Sequence, residues 1–580
     1  MTPEQIVAEL KAQLLADRKK RGIKTALERV MDLPHQDFMP TPEGTWPGGV
    51  DLVSKWTNAY KRGTPRAHRC AKPLREVQAV MLEECAWAAA QPDPIGGVFA
   101  VGVGKGKTLA SLLIPEVFDA KRPLLIVPAS MRTQLEDDIF EWSQHYAFRL
   151  KYLNVIYYSD LSRPKATGLL RELNPDLIIC DEAHNFRHAS AARTKRFIRY
   201  VQSKPQTRVV LMSGTMTGTG LSDYAHLSEI ALRKWSPLPT HDNDIDIWGS
   251  VVNADGEPDD KAWAVLHDLC PKAAEEHNVD LMRAAFRQRF ATAPGVVSTV
   301  TSSCDADIEL YAEYPDTTME IRQHMARLAN DWVLPNGDPV VDALHMHRAA
   351  GQLSCGFYYI WDWPGEPDEE WLHARRSWDA ACRQYLKLYA REGCDSQALL
   401  EKYVRNGGPA ILREILDEWD EHRDKDQPPT KAVWVDVTPV LHAVQWAQRQ
   451  PGRAFLWYQS RAVGDMLEAF GIPRFDNGSM TPDPIAHPIC ALSINVYNKG
   501  RNFQAWDNQL VLEPGPNGAI WQQKLGRTHR QGQTSLVVRC SIFQHTWANR
   551  NALEKAIRRA RYIQGTTGEP QKLLQATRTF

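Results

Sequence analysis

Twice along the chain, short runs of wholly apolar residues alternate with amphipathic stretches long enough for a helix. The first series is Gly97-Val98-Phe99-Ala100-Val101, Leu124-Leu125-Ile126-Val127, Leu177-Ile178-Ile179-Cys180 and Val209-Val210-Leu211-Met212. A strand with one wet face alternates apolar and polar residues, whereas a run apolar at every position is buried on both faces. With helix-length connections, that pattern predicts a parallel sheet covered by helices. A second series begins near Ala432, with Phe455-Leu456-Trp457-Tyr458, Ile489-Cys490-Ala491-Leu492, Leu510-Val511-Leu512 and Leu536-Val537-Val538. The expectation is an α/β chain with two parallel-sheet lobes, over 74–235 and 432–565.

The 580 residues, 43% of them hydrophobic, are enough for several cores. The remainder divides into an N-terminal helical arm (1–73), a mainly helical insertion (236–431) and a C-terminal tail (566–580). In the arm, Thr2-Pro3-Glu4-Gln5 reads as a capped helix start, followed by Ile6, Val7, Leu10, Leu14 and Leu15 at helical spacing. The insertion carries Trp332, Trp361, Trp363, Trp371 and Trp378, which are expected to fill a helical core rather than stack on bases. Its acidic stretch, Asp242-Asn243-Asp244-Ile245-Asp246, lacks the Gly and terminal Glu of a calcium loop and reads as a solvated surface loop.

No apolar run approaches the roughly 18 to 20 residues of a membrane span, and the N-terminus is charged, so a cytoplasmic location without membrane contact is expected. The 10 cysteines form no Cys-x-x-Cys pair or Cys/His cluster and should be mostly reduced, buried thiols. A net charge of -1 neither favours nor excludes a polyanionic partner, because positive charge can be confined to one groove.

The chemistry-bearing residues stand at the ends of the apolar runs. Ala100-Val101-Gly102-Val103-Gly104-Lys105-Gly106-Lys107-Thr108 follows one run and opens a helix expected to reach Pro115. Glycine lets the backbone bend so that successive N–H groups face a phosphate chain, and the helix N-terminus adds its dipole. Lys107 would reach the β- and γ-phosphates, and the Thr108 hydroxyl would ligate Mg²⁺. Val101 stands where the general pattern has its first glycine. A Gly-Lys-Thr alone is compatible with a surface turn; the strand before it and the helix after it favour the phosphate loop.

Asp181-Glu182-Ala183-His184 ends the run Leu177 to Cys180, 74 residues (181 minus 107) beyond Lys107. Asp181 suits a Mg²⁺ ligand, and Glu182 suits a group that orients and polarises an attacking water. Ser213-Gly214-Thr215 closes the next run and would bring hydroxyls to the same edge. Far downstream lies Gln523-Lys524-Leu525-Gly526-Arg527-Thr528-His529-Arg530-Gln531-Gly532-Gln533. Arg527 and Arg530, three apart, would share one helix side, where planar guanidinium groups suit γ-phosphate charge.

In this order the motifs resemble helicase superfamily two, and the His-Arg-x-Gly-Gln ending resembles its SWI/SNF-type branch. The likeness spans about 74–565, weakly over the middle. Leu74-Arg75-Glu76-Val77-Gln78 is similar to the family's adenine-recognising segment, 29 residues (107 minus 78) before Lys107, with Val77 where an aromatic is usual. Residues 123–142 resemble the strand and helix that track one nucleic-acid strand. Asp476-Asn477-Gly478-Ser479 and Asn498-Lys499-Gly500-Arg501-Asn502-Phe503 resemble second-lobe motifs, the latter without the first of the paired glycines.

The resemblance implies two RecA-like lobes binding ATP and Mg²⁺. Arg75, Gln78, Gly104, Gly106, Lys107, Thr108 and Gly500 would serve nucleotide binding, and Thr108 and Asp181 the metal. Glu182, Gln523, Arg527 and Arg530 would serve hydrolysis. The implied partner is nucleic acid, foremost double-stranded DNA. Three activities compete: a duplex DNA translocase that remodels DNA or protein–DNA complexes, a strand-separating helicase, and a nucleotide-gated binding protein without useful turnover.

Overall fold

The computed structural model describes residues 74–580 except 103, 143–151, 215, 299–303, 305, 338–339, 341–342, 390–396, 426–427, 479, 499–500 and 531. The helix expected at Thr2 lies outside the described residues. The chain divides into two compact units. The first holds residues up to 301 with 374–419 and 562–570, and the second holds 302–373, 420–561 and 571–580.

The first unit is built on six parallel strands: β1 (Gly97–Ala100), β2 (Pro123–Val127), β3 (Asn154–Tyr157), β4 (Leu177–Asp181), β5 (Arg208–Ser213) and β6 (Val296–Ser298). Their order is β3-β2-β4-β5-β1-β6. The wholly apolar runs have the consequence expected of them. Val98, Leu124, Ile178 and Leu211 enter a core on one face, while Phe99, Leu125, Ile179 and Val210 enter a separate core on the other. Each such side chain contributes roughly 1.5–3 kcal/mol by leaving water, so both faces favour this register and a one-residue slip would exchange the two sets.

Two local expectations are corrected. The helix after the glycine-rich segment runs Lys107–Val117, past Pro115. The acidic stretch at Asp242 is the first turn of a helix, Asp242–Val252, where Asp242 and Asp244 complement the positive end of the helix dipole. Neighbouring helices start on side-chain caps, with Asp259 accepting from the Ala262 N–H and Asn278 from the Leu281 N–H.

The second unit holds a seven-stranded parallel sheet and a separate antiparallel pair. In chain order the strands are β7 (Asp307–Glu313), β8 (Phe357–Trp361), β9 (Thr430–Trp434), β10 (Ala454–Tyr458), β11 (Arg474–Phe475), β12 (Ile489–Ser493), β13 (Asn508–Val511), β14 (Val537–Phe543) and β15 (Thr577–Arg578). The sheet order is β11-β12-β10-β13-β14-β7-β15, and β8 pairs with β9. Phe455, Trp457, Leu492 and Val511 face one core, and Leu456, Tyr458, Ala491 and Leu510 the other. Leu536, expected at the head of β14, is 86% exposed and outside the strand. Of the insertion's tryptophans, Trp371 and Trp378 are buried, whereas Trp332 is exposed. No helix among the described residues is long and apolar enough to cross a membrane.

Candidate functional site

The order β4-β5-β1 fixes what meets at the carboxyl edge of the first sheet. Ala100 pairs with Ser213, and Asp181 with Met212, so the segment after β1, the carboxylates after β4 and the hydroxyl ending β5 are neighbours. This is the edge at which parallel α/β sheets bind ligands.

The loop after β1 bends through Gly104 (φ 81°) and Gly106 (φ 80°), both left-handed, and Gly106 is the N-cap of helix Lys107–Val117. Two side chains from the preceding helix, Glu76–Ala89, and its N-cap hold the bend. Arg75 Nη1 donates to Gly104 O at 2.7 Å, and Gln78 Nε2 donates to Gly106 O at 2.9 Å. The Arg75 N–H in turn donates to Gln78 Oε1 at 2.8 Å. A Cβ on Gly106 would lie 2.2 Å from Gln78 Nε2, so any other residue there would strain the backbone at φ 80° and push the Gln78 amide aside. Lys107 is buried, and its ammonium donates to Val101 O at 2.9 Å and Gly102 O at 3.1 Å. The Lys107 head therefore sits inside the loop, against its own carbonyls.

Asp181 is 2% exposed, and its Oδ1 accepts the Glu182 N–H at 2.9 Å. Burial, then the neighbouring Glu182 carboxylate, pushes Asp181 up to about 7, while Lys107 acts the other way. A cation beside this carboxylate would favour its ionised form. Tyr158 supports the strand end by donating to Asp181 O at 2.9 Å, and burial raises its phenol far above the usual range, keeping it a donor.

Glu182 has φ 55° and ψ 50°, left-handed for a residue with a Cβ. Its Oε2 accepts from Ser213 Oγ at 3.3 Å and stands 3.3 Å from His184 Nδ1, which lies 3.0 Å from Ser213 Oγ. Asn185 Nδ2 donates to Glu182 O at 2.7 Å. The first unit thus brings together Arg75, Gln78, Gly104, Gly106, Lys107, Thr108, Asp181 and Glu182. Tyr158 and Asn185 were not anticipated; in sequence they are an ordinary tyrosine and asparagine, and only the fold brings Tyr158 to the end of β4.

In the second unit, Gln523 and Arg527 lie on helix Gly518–Thr528, both buried, with Arg530 half-buried just beyond it. Arg527 Nη1 donates to Arg501 O at 2.8 Å, the Phe503 N–H donates to Arg527 O at 2.9 Å, and Arg530 bonds the Asn502 side chain. The arginine motif is therefore laced to the 501–503 segment rather than set on a solvated helix. Gly500, Val103, Thr215 and Ser479 lie outside the described residues. No protein-family model matches the chain, and no curated protein matches it.

Proposed function

We propose that the protein is an ATP-driven motor on nucleic acid, with two RecA-like lobes and a build like that of the SWI/SNF-type branch of helicase superfamily two. The observation that carries this reading is the convergence of a glycine-bent loop, a buried lysine and two adjacent carboxylates on one carboxyl sheet edge. Mg²⁺ held by Thr108 and Asp181 would neutralise charge on the β- and γ-phosphates. Lys107 exchanges its two loop carbonyls for phosphate oxygens. Glu182, oriented by Ser213 and His184, aims the attacking water. Gln523, Arg527 and Arg530 take part in hydrolysis, and contacts to the phosphate backbone make the motor insensitive to base sequence.

The test is ATP turnover measured in parallel with duplex DNA, single-stranded DNA and RNA, beside a strand-displacement assay. Stimulation by duplex DNA without strand displacement is expected. Stimulation by RNA alone would overturn the branch but leave the motor, and the absence of turnover with all three would overturn both. Lys107→Ala should lose nucleotide binding and turnover together, whereas Glu182→Gln should bind ATP and fail to hydrolyse it. Parental turnover in Glu182→Gln would refute the assignment.

A further inference from the structure

Residues 571–580 carry none of the motifs assigned above, yet they are built into the second unit. Strand β15 pairs with β7, and the Thr579 N–H donates to Leu310 O at 3.1 Å. A short helix, Lys572–Gln575, precedes the strand, and Gln571, Lys572 and Leu573 are buried. Leu573 shares a core with Trp521 and Leu525 of helix Gly518–Thr528. Lys572 reaches that helix and its end by two contacts. Its backbone N–H donates to Gln522 Oε1 at 2.7 Å, and its ammonium stands 2.8 Å from His529 Nδ1.

The second ring nitrogen of His529 decides the nature of the ammonium contact. His529 Nε2 lies 2.6 Å from Ala306 O, an atom that can only accept, so Nε2 carries the ring proton. In the neutral ring Nδ1 is then a lone pair, which accepts from the Lys572 ammonium. A protonated ring would turn an N–H toward that ammonium, with two donors facing each other and no acceptor between them. Burial first, then the Lys572 charge, lowers His529 to about 4, against the bond to Ala306 and the charge of Asp307 on β7. The ring is thus held neutral and tied at both nitrogens. His529 is also the residue at which the arginine motif leaves its helix. It is the C-cap of Gly518–Thr528, its N–H donates to Leu525 O at 2.9 Å, and the Arg530 N–H turns back to Thr528 O at 3.1 Å. Anchoring that side chain at two points fixes the direction in which the chain exits, and therefore where Arg530 begins.

We propose that Lys572 is a positioning residue for the arginine motif, acting through His529 to set where Arg527 and Arg530 stand. Packing alone does not account for a lysine here, because a buried ammonium is costly and an apolar side chain of similar length would fill the space. The proposal rests on the motor reading for the motif's part in hydrolysis.

The test compares the full-length parent with Lys572→Met and Lys572→Arg. It measures kcat and KM for ATP across pH, with the nucleic acid that stimulates the parent most, and follows the His529 ring by NMR in protein carrying isotope-labelled histidine, assigned with His529→Gln. Lys572→Met keeps the stem and loses the charge and the donor. His529 should then titrate at a higher pH than in the parent, because a repelling charge has gone, and kcat should fall by about tenfold with KM unchanged. The fall should deepen as pH drops and the ring gains its second proton. Lys572→Arg keeps a donor and a charge, so it should restore most of kcat and the low titration. Parental kcat in Lys572→Met, an unshifted His529 titration, or a fall that Lys572→Arg fails to restore would each overturn the inference while an active parent leaves the motor reading standing. A parent that turns over no ATP would overturn the motor reading, and this inference with it.

Discussion

Gly106→Ala tests the geometry of the first site at its tightest point. At φ 80° an alanine is left-handed, which costs roughly 1–2 kcal/mol. Its methyl group would also lie 2.2 Å from Gln78 Nε2, so the amide must swing away. That movement breaks the bond from Gln78 Nε2 to Gly106 O and the bond from the Arg75 N–H to Gln78 Oε1. At about 0.5–1.5 kcal/mol net for each, the total loss is about 2–5 kcal/mol. Hydrogen exchange of the peptide spanning 97–117 along a urea series reports this locally, without requiring the whole chain to unfold in one step. In a Gln78→Ala background the clash and both bonds are gone, so Gly106→Ala should then cost only the backbone share, about 1–2 kcal/mol. A loss of the same size in both backgrounds would refute the contact argument, and a loss under about 0.5 kcal/mol in either would refute the backbone argument as well.

Other outcomes follow from the same geometry. Arg530→Ala should lower nucleic-acid-stimulated turnover on the order of 10³-fold with nucleotide binding largely kept, and Arg530→Lys should rescue poorly because a point charge does not replace a planar fork; normal turnover in Arg530→Ala would remove the arginine from the mechanism. Tyr158→Phe leaves the strand and removes the donor to Asp181 O, so it should cost about 1 kcal/mol of local stability and shift the Mg²⁺ dependence of turnover; an unchanged magnesium titration would make Tyr158 purely a packing residue. In the second unit, burial lowers His529 and His545 to about 4, beneath the unfolded value near 6.5. Their neutral forms favour the fold fully above about pH 6.5, and that contribution is lost as pH falls toward 4, by about 2 kcal/mol per histidine between pH 7 and 5. Urea unfolding followed at the two pH values checks the sign, and greater stability at pH 5 would contradict it.

Much of the first sheet was legible because fully buried strands need apolar residues at every position, and four of its six strands announce themselves in that way. The others did not. β3 (Asn154–Tyr157) is an edge strand with an exposed asparagine, and β6 (Val296–Ser298) is three residues long inside a segment read as mainly helical, so neither shows a periodicity. β7 reads as alternating Asp-Ile-Glu-Leu-Tyr-Ala-Glu, yet it lies inside the second sheet, where only β15 separates it from the edge. At the candidate site, the glycines, Lys107 and the Asp181-Glu182 pair were readable because their backbone or charge requirements are strict. Gln78 and Arg75 were assigned to nucleotide through the family likeness. In the fold they grip the loop itself, a long-range contact that no local pattern encodes.

The backbone at Glu182 bears on what the first edge is for. A glutamate at φ 55° sits about 1–2 kcal/mol above its relaxed conformation, and nothing in helix or strand formation asks for it. The strain persists because the surroundings over-determine it. The Glu182 N–H is held by the Asp181 carboxylate, its carbonyl by Asn185, and its side chain by Ser213 from the end of the adjacent strand. Two of these three restraints come from within three residues, and the third reaches across the sheet, so the turn and β5 must both form before the carboxylate is fixed. A carboxylate that merely began a helix would relax to an ordinary cap. One clamped in this way has its orientation set before any ligand arrives, and a group that must aim a water molecule benefits from that order of events because no reorganisation remains at the reacting step. The same reasoning separates Ser213→Ala from Glu182→Gln. Removing the serine should loosen the carboxylate without removing it, giving a partial fall in turnover with ATP binding unchanged, whereas a complete loss would mean that the hydroxyl acts directly on the nucleotide.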